Sequence, residues 1–122
     1  MTGPDLQIEL AAAALRPGGT LTGAFVLPGG PPPGTERVEF SVLWHTAGKG
    51  TEDLGVVHHR AWAAADGTLG GLPNTYPFEV PLPPTPWSYD GTLVSVRWVA
   101  RVRVRDEDGA DVVRDAPFTL RP

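Results

Sequence analysis

Hydrophobic and polar residues alternate through most of this 122-residue chain, and nowhere does an apolar stripe of helical period persist for three turns. The clearest run is Val94 to Arg105. Val94, Val96, Trp98, Ala100, Val102 and Val104 share one parity, while Ser95, Arg97, Val99, Arg101, Arg103 and Arg105 share the other. Side chains on a strand point alternately to opposite faces, so this pattern predicts one buried and one wet face. Val38, Phe40, Val42 and Trp44 repeat the pattern against Arg37, Glu39, Ser41 and Leu43. Shorter runs lie at Leu6–Leu10, Thr20–Leu27, about 54–64, Phe78–Leu82 and Asp111–Leu120. Ala11 to Ala14 are helix formers by propensity, but the segment is short and ends at Arg16-Pro17, so it reads as a continuation of the first strand.

Glycine and proline separate these runs, with 15 of one and 14 of the other and no collagen-like period. Pro28 to Gly34 cannot be a central strand, because proline donates no ladder hydrogen bond. Pro81 to Asp90 should be stiff and extended, which suits a crossover between sheets. Asp106-Glu107-Asp108-Gly109 predicts a hairpin with a primed turn. Seven short strands with such punctuation predict an all-β, seven-stranded antiparallel sandwich, immunoglobulin-like in architecture, formed by residues 1–122 as one domain. Trp44 and Trp98 have inward parity and are expected in the core; parity leaves Trp62 and Trp87 open.

Composition removes several functions. There is no cysteine, hence no disulfide framework, thiolate metal site or cysteine nucleophile, and a reducing cytoplasm is the expected location. The start, Met1 followed by Thr-Gly-Pro-Asp, has no basic region and no continuous apolar stretch, and reads as unprocessed. Leu10 to Leu15 is too short to cross a bilayer. A net charge of −4 argues against nucleic acid, which is bound by neutralising phosphates with Lys and Arg.

His58 and His59 are adjacent in a strand and face opposite sides, so they cannot chelate one metal together. Asp106, Asp108, Asp111 and Asp115 lack the spacing and the closing glutamate of a calcium loop. Gly48-Lys49-Gly50-Thr51 lacks the spacing of a phosphate loop and the helix that should follow it. Ser41, Ser88 and Ser95 are the only serines, and none sits in a nucleophile-elbow motif. No catalytic, cofactor or metal residue is therefore expected. Arg97, Arg101, Arg103 and Arg105 form a basic stripe on one strand face. It reads either as a ladder answered by Glu79, Asp111 or Asp115, or as a clamp for an acidic or phosphorylated peptide. Trp87, in the proline-rich crossover, either covers the sandwich edge or serves as a binding anchor.

Three stretches resemble a known family. Leu15-Arg16-Pro17-Gly18-Gly19-Thr20-Leu21-Thr22-Gly23-Ala24-Phe25-Val26-Leu27 is similar to an early Pro-Gly turn and its following strand in arrestin-like proteins. Tyr76-Pro77-Phe78-Glu79-Val80-Pro81-Leu82-Pro83, then Trp87-Ser88-Tyr89-Asp90-Gly91, then Val94 to Val102, resembles that family's central stretch in the same order. Leu43-Trp44 followed by Gly48 to Asp53 resembles its single-domain bacterial members. The resemblance implies an arrestin-like lobe that acts as an interaction adaptor or scaffold. The family's phosphate sensing is not implied, since the first strand, Leu6 to Ala11, carries no basic residue. Because arrestins have two lobes and this chain has the features of one, the expected partner is another protein or a second copy in a homodimer, with no nucleic acid and no membrane insertion. The alternatives are a structural or envelope-associated sandwich and, last, a small metal-dependent hydrolase.

Overall fold

The computed structural model describes residues 5–49 and 52–122. The readings made on Met1–Pro4 and on Gly50 and Thr51 lie outside those residues. Two sheets pack face to face, one of three strands and one of six. The strands are β1 (Gln7–Leu10), β2 (Ala14–Leu15), β3 (Thr20–Val26), β4 (Thr35–Gly48), β5 (Leu54–Ala63), β6 (Thr75–Pro81), β7 (Tyr89–Asp90), β8 (Val94–Asp106) and β9 (Asp111–Leu120). The small sheet has the order β1-β3-β6, and the large sheet β2-β9-β8-β4-β5 with β7 paired to β8. Among the described residues the one helical turn is a 3-10 turn at Thr68–Gly71, and no helix is long and apolar enough to cross a membrane.

The seven predicted runs become nine strands, and one of the pairings is parallel. The first run splits because Ala11 to Ala13 carry the chain from one sheet to the other. The Ala11 N–H donates to Thr22 O in the small sheet at 2.9 Å, and Ala13 O accepts from Thr119 N in the large sheet at 2.8 Å. Ala14 and Leu15 then lie parallel to Thr119 and Leu120. Small side chains let the backbone step across without leaving its polar groups unpaired. The segment after β6 makes the expected crossover. It is tied at Leu82 N to Gly19 O (2.8 Å) and at Ser88 N to Leu120 O (2.9 Å), and it ends in the added two-residue strand β7.

The core is the alternation made solid. Val38, Phe40 and Val42 of β4 and Trp98, Ala100, Val102 and Val104 of β8 are all buried. Opposite them lie Leu21 and Phe25 of β3 and Phe78 and Val80 of β6. Phe40 stacks 4.5 Å from Phe78 and 5.7 Å from Phe25, centroid to centroid, so the two sheets meet through aromatic rings. Trp98 is fully buried and its indole N–H donates to Pro86 O at 2.9 Å. Trp44 is half-buried against the core, and Trp62 is buried beside Phe25 and Tyr76.

The β8–β9 hairpin differs from the expected primed turn. Only Gly109 has a positive φ, at 87°, and its N–H donates to Asp106 O at 3.0 Å. This is a tight turn closed by a left-handed glycine, the arrangement of a three-residue hairpin loop. Asp106 fixes it by accepting from the N–H groups of Asp108 and Ala110 at 2.9 and 3.0 Å.

Candidate functional site

The outward face of the large sheet carries the side chains of opposite parity to the core. Successive cross-strand rows run from β9 through β8 and β4 to β5. Asp111, Arg105, Arg37 and Ala63 form one row; Val113, Arg103, Glu39 and Ala61 the next; Asp115, Arg101, Ser41 and His59 the third. The fourth row, Pro117, Val99, Leu43 and Val56, is apolar. One continuous face thus has a charged half near the β8–β9 hairpin, then this apolar row, then Arg97, His45 and Leu54 abreast towards the other end.

Arg101, Arg103 and Arg105 lie together in the charged half, and their partners are on the neighbouring strand. Arg101 grips Asp115 through two hydrogen bonds of 2.8 and 3.0 Å. Arg105 grips Asp111 at 3.0 and 3.5 Å. The hydrogen bond with Asp115 raises the Arg101 pKa above its ordinary value, and the one from Arg105 lowers that of Asp111. Arg103 is left over: its Nε is sealed from solvent without a hydrogen-bond partner, 4.0 Å from an Asp111 oxygen already engaged by Arg105. Glu79, expected among the partners, stands in β6 of the small sheet, opposite Thr22. Arg97 is set apart from the other three, 3.6 Å from Asp90 of β7.

The two adjacent histidines do point to opposite faces. His58 is on the core side, edge-on to Phe40 with centroids 5.6 Å apart. Burial, then the charges of His59 and Arg60, push its pKa below the ordinary value. His59 is on the outer face, where Nδ1 lies 2.9 Å from Ser41 Oγ and Nε2 lies 3.6 Å from Glu39 Oε1. A hydroxyl, an imidazole and a carboxylate in line have the outline of a hydrolase triad. The setting differs from one, because β4 is flanked by strands on both sides and its amides belong to ladders rather than to an oxyanion hole.

Three of the hairpin's acidic residues are also engaged: Asp106 caps the turn, while Asp111 and Asp115 hold arginines. Among the described residues no group of three or more potential ligands could hold a metal ion.

The end of the sheet opposite the hairpin is built differently. Of the eight large hydrophobic side chains exposed among the described residues, seven belong to two segments at this end, with β4 between them. Leu54, Val56 and Val57 open β5, and Trp87, Tyr89, Leu93 and Val94 lead into β8. The far end of β4 joins them, through His45 opposite Leu54 and Gly48 opposite Val94. Leu54 is 61% exposed and Leu93 66%. Trp87 is half exposed, with its N–H satisfied by Pro84 O at 2.9 Å, so its ring faces water by position and not for want of a partner. A cleft of about 330 Å³ opens here, lined by His45, Tyr89, Asp90, Arg97, Pro117 and Arg121.

Sequence reasoning selected Trp87 and Arg97 at this end but missed Leu54, Val56, Leu93 and Val94. A signal was present in the Val56-Val57 doublet, which breaks alternation. The β4–β5 register shifts there, with Val42 opposite His58 and Leu43 opposite Val56, so that Val57 is the extra residue of a β-bulge.

Two sheets joined by these crossovers make an arrestin-like β-sandwich. The solved structure of Spo0M, a sporulation control protein from Bacillus subtilis, matches the whole of this chain with a TM-score of 0.60 at 12% identity. The chain spans 51% of that protein's length, and at this identity the likeness is one of fold. No family model matches the sequence, and no curated protein matches it.

Proposed function

We propose that this chain is a non-catalytic, cytoplasmic interaction module of arrestin-like type, which binds another protein or a second copy of itself through the open end of its large sheet. The observation that carries this reading is the collection of exposed apolar side chains there: seven of the eight among the described residues lie in strand ends and connecting segments at that end. Apolar side chains grouped in this way favour a protein surface over water, whereas single ones scattered over a surface need no explanation. The acidic balance of −4 argues against nucleic acid as partner. The arginine stripe supports the same assignment by contrast. Arg101 and Arg105 already hold carboxylates, so a partner would have to displace them.

Capture of the tagged protein from its own cells tests the reading with three variants: Leu54→Ser/Val56→Ser, Leu93→Ser/Val94→Ser and Arg101→Glu/Arg103→Glu. A stoichiometric partner should survive the arginine change and be lost with either serine pair. A partner lost only with the arginine change moves the site to the ladder. Recovery of an isolated monomer from every preparation overturns the module reading and favours a structural sandwich.

A further inference from the structure

The sheets have four outer edges, and three of them are well guarded. β6 carries Pro77 and Pro81, and β1 is four residues long with Glu9. β9 carries Asp111, Arg114, Asp115 and Pro117, and its last residues are covered by β2. Proline, charge and shortness all prevent another strand from adding to an edge. β5 is the least protected: it is ten residues long, LGVVHHRAWA, without proline, lysine or a carboxylate, and its guards are Arg60 and the bulge at Val57.

Its hydrogen bonds show which groups are on offer. At one end Ala63 N donates to Thr68 Oγ1, and that hydroxyl donates to Ala63 O, so Ala63 faces away from β4 and is capped by the 3-10 turn. At the other end Asp53 O accepts from Thr46 N, so Asp53 faces β4 and Leu54 faces out. Alternation between these ends, with the bulge at Val57, sets the N–H and C=O of Leu54, Val56, His59 and Ala61 along the open edge. The same four side chains stand on the outer face. A strand added here would place every second side chain beside Leu54 and Val56, and the intervening ones on the side of His58 and Arg60.

Charge selects the occupant. Arg60 lies 5.4 and 5.8 Å from the ring centroids of Trp62 and Tyr76, and donates to the Tyr76 hydroxyl at 3.3 Å. No carboxylate comes within ion-pair distance of it among the described residues. An antiparallel second copy of β5 centred on His59 sets each Arg60 opposite a His58, which offers it no carboxylate, and one centred on Arg60 sets guanidinium against guanidinium. Like charges directly opposite are unfavourable. An incoming strand with carboxylates at those positions is favourable.

We infer that the Leu54–Ala61 edge of β5 is a strand-addition site for an extended segment of a partner protein in which aliphatic and acidic residues alternate, the aliphatic ones packing on Leu54 and Val56 and an acidic one meeting Arg60. This rests on the interaction-module reading and assigns its partner a chemical class. The recognition mode is β-augmentation, in which main-chain hydrogen bonds supply affinity and alternate side chains supply specificity.

The test uses the full chain, labelled for amide NMR, with the peptide Val-Glu-Val-Glu-Ile-Glu-Val. Two further peptides serve as controls: the lysine analogue, and the acidic peptide N-methylated at every second residue. The acidic peptide should bind saturably and slow hydrogen exchange at the amides of Leu54, Val56, His59 and Ala61. N-methylation of the edge-facing amides, the lysine analogue and the Arg60→Glu variant should each weaken binding by about tenfold or more. The methylated peptide needs no change in the protein, so its result does not depend on a variant folding. Absence of protection at these four amides in millimolar acidic peptide overturns the proposal, as does equal binding of all three peptides. Protection of the same amides by dimerisation without peptide also overturns it, in favour of a second copy. Shifts confined to Trp87–Val94 overturn strand addition while leaving the module reading intact.

Discussion

The two ends of the six-stranded sheet are made from the same four long strands and solve opposite problems. At the hairpin end, charged side chains crowd the outer face and are answered within the sheet, Arg101 by Asp115 and Arg105 by Asp111. At the other end, Leu54, Val56, Leu93 and Val94 face water, and no element among the described residues covers them. The conspicuous feature of the sequence is the four-arginine stripe, yet its chemistry is largely satisfied. The unsatisfied chemistry belongs to ordinary aliphatic residues at strand ends. A motif shows which chemistry is present; whether it is available for a partner depends on what the fold has already placed against it.

If the open end is a constructed surface and not a frayed one, the core beneath it must be as firm as the core beneath the ladder. Trp98→Ala tests this with the largest effect expected. The fully buried indole packs 5.7 Å from Phe118 and donates to Pro86 O, so its loss should cost about 3–5 kcal/mol. Val104→Ala, below the ladder, should cost about 1–3 kcal/mol, in keeping with its smaller buried side chain. Denaturant unfolding of the two variants decides: a Trp98 variant less destabilised than the Val104 variant would mean that the open end is loosely packed, and the comparison would fail.

Gly55 gives a second, smaller test of the same firmness. It lies opposite Trp44 in the pairing of β5 with β4, and a methyl group built on it would overlap the Trp44 indole. Gly55→Ala should therefore cost about 1–3 kcal/mol, since overpacking forces side chains and backbone to shift. The same change at Gly70, where a methyl group meets nothing, serves as the control. Equal stability of the two variants would show that Trp44 moves aside freely.

The inner face of this fold was legible because period-two alternation in β4 and β8 specifies it residue by residue. Val38, Phe40, Val42, Trp98, Ala100, Val102 and Val104 went where their parity sent them. The partners of Arg101 and Arg105 were also legible, because Asp111 and Asp115 share the outer parity of β9, whereas Glu79 lies in the other sheet and Arg97 meets Asp90 instead. Three things were not. Alternation says nothing about which strand becomes an edge, so the exposure of Leu54 and Val56 could not be read from their hydrophobicity. It cannot distinguish wet from covered outward positions, and Leu43 and Val99, opposite each other on the outer face, are buried. A run of alanines has no parity to read, so the step from one sheet to the other at Ala11–Ala13 carries no signal that separates it from a continuing strand.

On the outer face the two ends should separate stability from binding. Arg101→Ala removes a partly exposed pair and should cost no more than about 1 kcal/mol, less in high salt. Leu54→Ser alters stability by only about 0.5 kcal/mol either way, because the side chain is already in water. Binding should rank them in reverse, with Leu54→Ser losing the partner that Arg101→Ala keeps. Unfolding midpoints and captured partner, measured on the same preparations, would reveal whether one end is structural and the other functional.

The smallest effect concerns His58, which sits beside the bulge between the two ends. Its ring is turned to the core against Phe40, and burial first, then His59 and Arg60, disfavour the imidazolium. The folded pKa is therefore below the ordinary 6.5 that the unfolded chain should show. As pH falls through 6.5 the unfolded state takes up a proton before the folded state can, and stability declines until the folded pKa is reached. Above 6.5 both states are neutral and this group contributes no pH dependence. His58→Gln should remove that share of the slope. Matching slopes for His58→Gln and the unaltered protein between pH 7.5 and 5 would mean that the ring is hydrated as freely as in the unfolded chain. β5 would then be loose at its bulge, and a strand added at its edge would have no firm template to extend.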